Sequence, residues 1–218
     1  MKLCKGGMNM LIIDIWADFV CPFSYIGKRN LTHALENLGV EQVYIRYHSY
    51  LLYPFAKPNS QESMQQYLSN KYGISEEEAQ TMMEDVAELA KGAGVHFQLD
   101  TLRPTNTMTA HRLSKLALRH NVQYEFYRTL LRAFFVEQQA LDEKNTLRQL
   151  AHDVGLPEQE VQKVLANSAL FEDAVEEDFF AAQRLGIKGI PYYVLNNVEY
   201  IEGTKTVEQF ERYLAKVL

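Results

Sequence analysis

Cysteine is scarce in this chain: there are two, Cys4 and Cys21, among 218 residues. A secreted domain held by disulfides uses more, so a reducing compartment is expected, or one thiol that does chemistry. Positive charge is also in short supply. Twenty-two Lys and Arg against 28 Asp and Glu leave a formal charge of -6, which argues against a phosphate-tracking nucleic-acid binder, since that needs a basic face. No apolar run approaches the roughly 20 residues that span a bilayer, so no membrane partner is expected. The N-terminal MKLCKGGMNMLIIDIW contains only a short apolar stretch, interrupted by Asp14, and no small-residue cleavage site follows. These features lead to the expectation of a cytoplasmic protein. Metal spacing is missing as well: the six His are scattered and neither cysteine has a partner at zinc spacing, so no metal site is expected. Gly92-Ala93-Gly94 lacks the lysine and the helix signature of a phosphate loop. With 47% hydrophobic and 23% charged residues the composition is ordinary for a folded domain.

What is present reads as α/β. Met10 to Ala17 is a β-branched apolar run, the pattern of a buried strand. Pro22 suits the first turn of a helix, and apolar spacing from Ile26 to Leu38, stopped by Gly39, continues it. Glu41 to Leu52 alternates as a second strand, which makes a βαβ unit. Helices are predicted over 60–71, 75–92, 107–121, 122–137 and 144–154, a short one from 156–157, and another over 168–185. Pro191 to Leu195 and Val198 to Ile201, joined by Asn196-Asn197, read as a hairpin, and Thr206 to Leu218 as a closing amphipathic helix. Neither end has a sheet large enough to stand alone. The expectation is one discontinuous α/β domain, residues 10–55 and 186–218, with an all-helical insertion over 56–185.

Cys21 falls directly between a strand and a helix. Unpaired N–H groups and the helix dipole favour negative charge there, so its thiol is expected to have a lowered pKa and to be nucleophilic. The alternative is a buried structural cysteine. Cys4 reads as an exposed thiol on a frayed end, and translation from Met8 or Met10 would remove it. Tyr50 to Phe55 (YLLYPF) either lines an apolar cleft or packs in the core.

The segment Asp18-Phe19-Val20-Cys21-Pro22-Phe23-Ser24-Tyr25-Ile26-Gly27-Lys28 resembles the active-site segment of DsbA-like thioredoxin-fold oxidoreductases of the FrnE type. Two further blocks carry the resemblance: Asn106-Thr107-Met108-Thr109-Ala110-His111-Arg112-Leu113, and Gly186-Ile187-Lys188-Gly189-Ile190-Pro191-Tyr192-Tyr193. The resemblance implies a thioredoxin-like fold with a large all-helical insertion. It also implies a cis Pro191 whose neighbour Ile190 pairs with an extended substrate, with Pro22 and Phe23 beside it. The family's usual motif is Cys-x-x-Cys, whereas this chain has Cys21-Pro22-Phe23-Ser24.

A lone thiolate attacks a disulfide, holds a mixed disulfide and is displaced by another thiol. The resemblance therefore implies monothiol oxidoreductase or isomerase chemistry on protein or small-molecule disulfides and thiols. No cofactor would be bound, and a low-molecular-weight thiol such as glutathione would be co-substrate. Ser24 is either an inert replacement or a hydrogen-bond donor to sulfur. His111 with Asn106 either caps the substrate site or has a packing role, with Asn106 as the helix cap. Asp18 and Trp16 flank the site, and Asp18 is a candidate for tuning the thiol. Kappa-class glutathione transferases and 2-hydroxychromene-2-carboxylate isomerases share the architecture, so a glutathione-dependent transferase or isomerase is the alternative. A silent binding module is a third reading. Either a monomer or a homodimer is compatible with the sequence.

Overall fold

The computed structural model describes residues 10–57, 61–99 and 101–218; Cys4 lies outside them. The chain opens with β1 (Leu11–Ala17), α1 (Pro22–Asn37) and β2 (Val43–Ser49). Six helices of two to five turns follow: α2 (Met64–Tyr72), α3 (Glu76–Gly92), α4 (Met108–Arg119), α5 (Gln123–Phe135), α6 (Lys144–Asp153) and α7 (Glu158–Ala166). Then come α8 (Glu172–Arg184), the hairpin β3 (Tyr192–Leu195) and β4 (Glu199–Glu202), and α9 (Val207–Leu214). The four strands form one mixed sheet in the order β2-β1-β3-β4. β1 runs parallel to β2 and antiparallel to β3, which is the thioredoxin-like arrangement that the strand pattern and the resemblance implied.

Local chemistry sets the boundaries. The helix predicted from residue 60 begins at Met64, because Ser63 and Gln66 form a reciprocal capping box. The helix predicted from residue 168 begins only at Glu172. Asn167 Oδ1 accepts the Ala169 N–H at 3.1 Å and Phe171 has φ of 67°, so neither residue continues a helix. Asn196 and Asn197 supply the two positive-φ positions of the β3–β4 turn, closed by Val198 N–H to Leu195 C=O at 3.0 Å.

One apolar core runs through the sheet and the helices. It joins Ile13, Leu31 and Tyr193 to Phe126, Tyr127 and Leu130. Tyr47 of β2 stacks on Tyr127 of α5 at 3.7 Å, and Phe19 packs against the same ring. A polar junction fixes α8 to the sheet. His48 bonds Asp178 through Nδ1 and Asp14 through Nε2, both at 2.8 Å, and stacks on Trp16. Asp178 also takes Lys115 Nζ and the Ser49 N–H, while Trp16 Nε1 donates to the Asp178 carbonyl at 3.1 Å. Burial alone would raise Asp178, but its bond to His48 and the charge of Lys115 bring it down to about 2.

Candidate active site

β1 ends at Ala17, and a turn of four residues carries the chain into α1. Cys21 is the residue just before the helix, extended at φ −89° and ψ 113°, with Pro22 in the first helical turn. The position matches the sequence reading, but the electrostatics do not. The thiol is only 2% exposed, and burial pushes its pKa up to about 11 rather than down. The Ser24 hydroxyl and the N–H groups of Ser24 and Phe23 favour the thiolate, and the Asp18 carboxylate opposes it. Together the donors offset only part of the burial cost, so the resting site holds a neutral thiol.

Around the sulfur the chain converges from three places. The Ile190–Pro191 peptide is cis, and Cys21 Sγ lies 3.8 Å from the Ile190 carbonyl oxygen. Tyr193 follows on β3 with its hydroxyl buried and unbonded. The Ser24 hydroxyl is also buried, near enough to the Cys21 thiol to favour its ionisation but outside hydrogen-bond geometry in the resting site. Close approach of α1 to this loop depends on Gly27, since a Cβ there would collide with the Tyr193 hydroxyl and lie 3.4 Å from Pro191 Cγ.

Beyond the thiol opens a cleft of about 300 Å³ between α1 and the helices α2 and α3. Cys21, Pro22, Phe23 and Ile190 form its inner end. Leu52 and Tyr53 line it, so the Tyr50–Phe55 segment contributes to a cleft as well as to packing. A larger hollow of about 600 Å³ lies between α1, β2 and α5 and holds no thiol.

Asn106 and His111, expected to bind substrate, do not line this cleft. Asn106 is used up inside the fold, and His111 is buried in it. The Asn106 amide donates to the Pro54 carbonyl at 2.7 Å, and its Oδ1 accepts the Met108 N–H at 2.9 Å. It thus covers the first turn of α4 and ties down the loop after β2. His111 is buried against the Phe19 ring. Its Nε2 lies 3.3 Å from Asp18 Oδ1, within ion-pair range but too poorly aligned for a hydrogen bond. Asp18 uses its other oxygen to accept the Leu52 N–H at 2.8 Å.

Arg112, the neighbour of His111, has a role the sequence reading missed. Its guanidinium donates to the carbonyls of Val164, Asn167 and Leu170, closing the C-terminal end of α7. Those partners lie more than 50 residues away, and no local pattern announces them. Among the described residues no group of three His, Cys, Asp or Glu is placed to hold a metal ion, and no helix is long and apolar enough to cross a membrane.

A thiol at the start of the first helix, facing a cis-proline loop across a four-stranded mixed sheet, defines a thioredoxin-type site. The particular family follows from comparison with known proteins. Residues 12–215 match the model of the DSBA-like thioredoxin domain, and the chain belongs to that family. A probable DsbA oxidoreductase from Streptomyces coelicolor is 27% identical and superposes with a TM-score of 0.86, covering 95% of this chain and 89% of that one. The cytosolic disulfide reductase DsbM from Pseudomonas aeruginosa, solved with GSH, is 15% identical with a TM-score of 0.64, over 94% of this chain and 98% of its own. A 2-hydroxychromene-2-carboxylate isomerase is similar at 19% identity and a TM-score of 0.66, over 94% and 95% of the two chains. The last two likenesses establish the shared fold.

Proposed function

We propose that the chain is a FrnE-type thiol–disulfide oxidoreductase or isomerase in which Cys21 works alone. The observation that carries this reading is the pairing of Cys21 with the cis-Pro191 loop, with Ser24 standing where a second cysteine would be. Cys21 sulfur attacks one sulfur of a substrate disulfide. The substrate S–S bond breaks, a Cys21–substrate disulfide forms, and the departing thiolate takes up the proton that Cys21 gives up. A second thiol of the glutathione class then attacks the substrate-side sulfur. Cys21 leaves with that thiol's proton, and the product is a new mixed disulfide. One cycle is an exchange, and a further round with the small thiol completes reduction. Ser24 supplies a hydrogen bond to the sulfur as charge develops, and the Ile190 backbone aligns an extended substrate. A reducing compartment suits this chemistry because it supplies the second thiol.

The test is mass spectrometry of the chain incubated with oxidised glutathione. The expected product is one glutathione on the Cys21 peptide, released by reduced glutathione and absent in Cys21→Ser. Absence of the adduct in the native chain overturns the reading.

The raised thiol pKa favours one second reading, in which a bound glutathione-type thiol does the chemistry as a transferase or isomerase. Turnover of a small electrophile that persists in Cys21→Ser would select it.

A further inference from the structure

The cleft next to Cys21 has a chemical character of its own. Apart from the thiol end its walls are aliphatic, sulfur-bearing or aromatic, with Met64, Met83, Leu102 and Phe135 the most buried. The only charged side chain among the described residues lining it is Lys71, in the last turn of α2. Its ammonium lies 5.9, 5.6 and 5.5 Å from the ring centres of Tyr53, Tyr67 and Tyr72. Three ring faces hold a cation through their quadrupoles and leave its hydrogen-bonding capacity for another group. No described carboxylate lies within ion-pair distance of Lys71. A cleft that is apolar along its length, reactive at one end and cationic at the mouth matches a ligand of the same pattern.

We infer that this cleft selects a small apolar molecule with a single carboxylate, its ring or chain between the helices α2 and α3 and its acid on Lys71. On the proposed function, which this inference rests on for the reacting end, such a molecule is the thiol or disulfide arm delivered to Cys21. The volume of about 300 Å³ is at the low end of small-molecule sites, roughly 300–1,000 Å³, and suits one or two rings. Glutathione does not match this cleft. It carries two carboxylates and an ammonium, whereas the described lining offers one cation, no acid and few polar partners. The cleft therefore takes the partner other than a glutathione-type thiol.

The experiment uses the full chain with 13C-labelled methionine methyl groups, titrated with 2-naphthylacetate and with its neutral amide. Met64, Met82 and Met83 line the cleft, while Met108 lies on α4 outside it. The expected result is that the acid shifts the first three signals and leaves Met108 in place. It should bind roughly tenfold tighter than the amide, the effect of one charge-assisted contact. Lys71→Gln, at an exposed position, should bring acid and amide within about twofold. The inference is overturned by no binding, by equal binding of the two ligands to the native chain, by a preference that survives Lys71→Gln, or by shifts that spare the cleft methionines. None of these readouts needs a reactive thiol, so the absence of a glutathione adduct on Cys21 would sink the proposed function and leave this result standing.

Discussion

At the scale of single residues, Cys21 decides the chemistry, and its burial decides Cys21. Ser24 Oγ stabilises the thiolate over the thiol, so its removal raises the pKa. We expect the rate of iodoacetamide alkylation of Cys21 to rise with a midpoint near 11, and Ser24→Ala to move that midpoint higher. A native midpoint near or below about 8.5, the ordinary thiol value, would refute the buried neutral state. The same shift acts on stability. Because the folded pKa is raised, the proton is held more tightly in the native state than in the unfolded chain. That contribution is complete below the thiol's ordinary 9.0 and is lost as pH rises towards 11. At about 1.4 kcal/mol per unit it amounts to roughly 3 kcal/mol. Denaturant unfolding of native chain and Cys21→Ala between pH 8 and 11 isolates it, since the buried tyrosines are common to both.

The position of Cys21 was legible in the sequence because strand, proline and helix spacing are local. Its pKa was not, because the groups gathered around the thiol, Tyr53, Tyr127, Ile190 and Tyr193, come from segments far along the chain. The same holds for His111. A polar residue in a helix motif reads as available to a substrate, and the groups packed against it, the Phe19 ring and the Asp18 carboxylate, lie on the β1–α1 turn.

At the scale of elements, two contacts hold the site in shape. In the first, α1 lies against β3 with nothing between Gly27 and the Tyr193 hydroxyl. Gly27→Ala forces the helix away from the cis-proline loop. Overpacking of this kind costs about 1–3 kcal/mol, and the Cys21–Ile190 approach should widen with it. Unfolding midpoints and a crystal structure of the variant check both, and unchanged stability would show that the loop yields freely.

In the second, α8 is tied to β1 and β2 by Asp178. Replacing it with Asn leaves Lys115 and His48 without their shared countercharge, which costs about 3–5 kcal/mol at neutral pH. The sign with pH follows from the shifts. Asp178 is lowered to about 2, so its contribution is present above its ordinary 3.8 and lost as pH falls towards 2. For His48 burial lowers the pKa, but the two carboxylates outweigh it and raise it. Its contribution is therefore present below 6.5 and lost as pH rises through the folded value. The gap between native chain and Asp178→Asn should be widest between about pH 4 and 6.5 and close towards pH 2. A gap independent of pH would mean that the carboxylate acts by shape alone. None of this junction was read from the sequence, since Asp14, His48, Lys115 and Asp178 share no spacing. The helix start at residue 75, where Ser75 and Glu78 form a capping box, and the Asn196–Asn197 turn, each set within four residues, were read correctly.

At the scale of the whole molecule, the question is whether the helical insertion melts apart from the sheet that carries Cys21. The division into 10–55 with 186–218 and 56–185 follows chain order, but the apolar core crosses it. Tyr47 stacks on Tyr127, Phe19 packs on Tyr127, and Leu113 and Leu130 belong to the same buried cluster as Ile13 and Leu31. The Asp178 junction adds a polar tie between α8 and the strands. A boundary with few crossing contacts would let one part open at low cost; here opening it exposes fully buried aromatic faces, each worth about 1.5–3 kcal/mol.

We therefore expect one cooperative transition. Trp16, the single tryptophan, reports the sheet from its stack on His48, while far-ultraviolet dichroism is dominated by the helices. In urea the two signals should give the same midpoint and the same slope. If dichroism falls first while Trp16 fluorescence holds, the insertion opens separately. The cleft, whose walls come from both parts, would then exist only in part of the native population, and its ligands would bind more weakly by the fraction open.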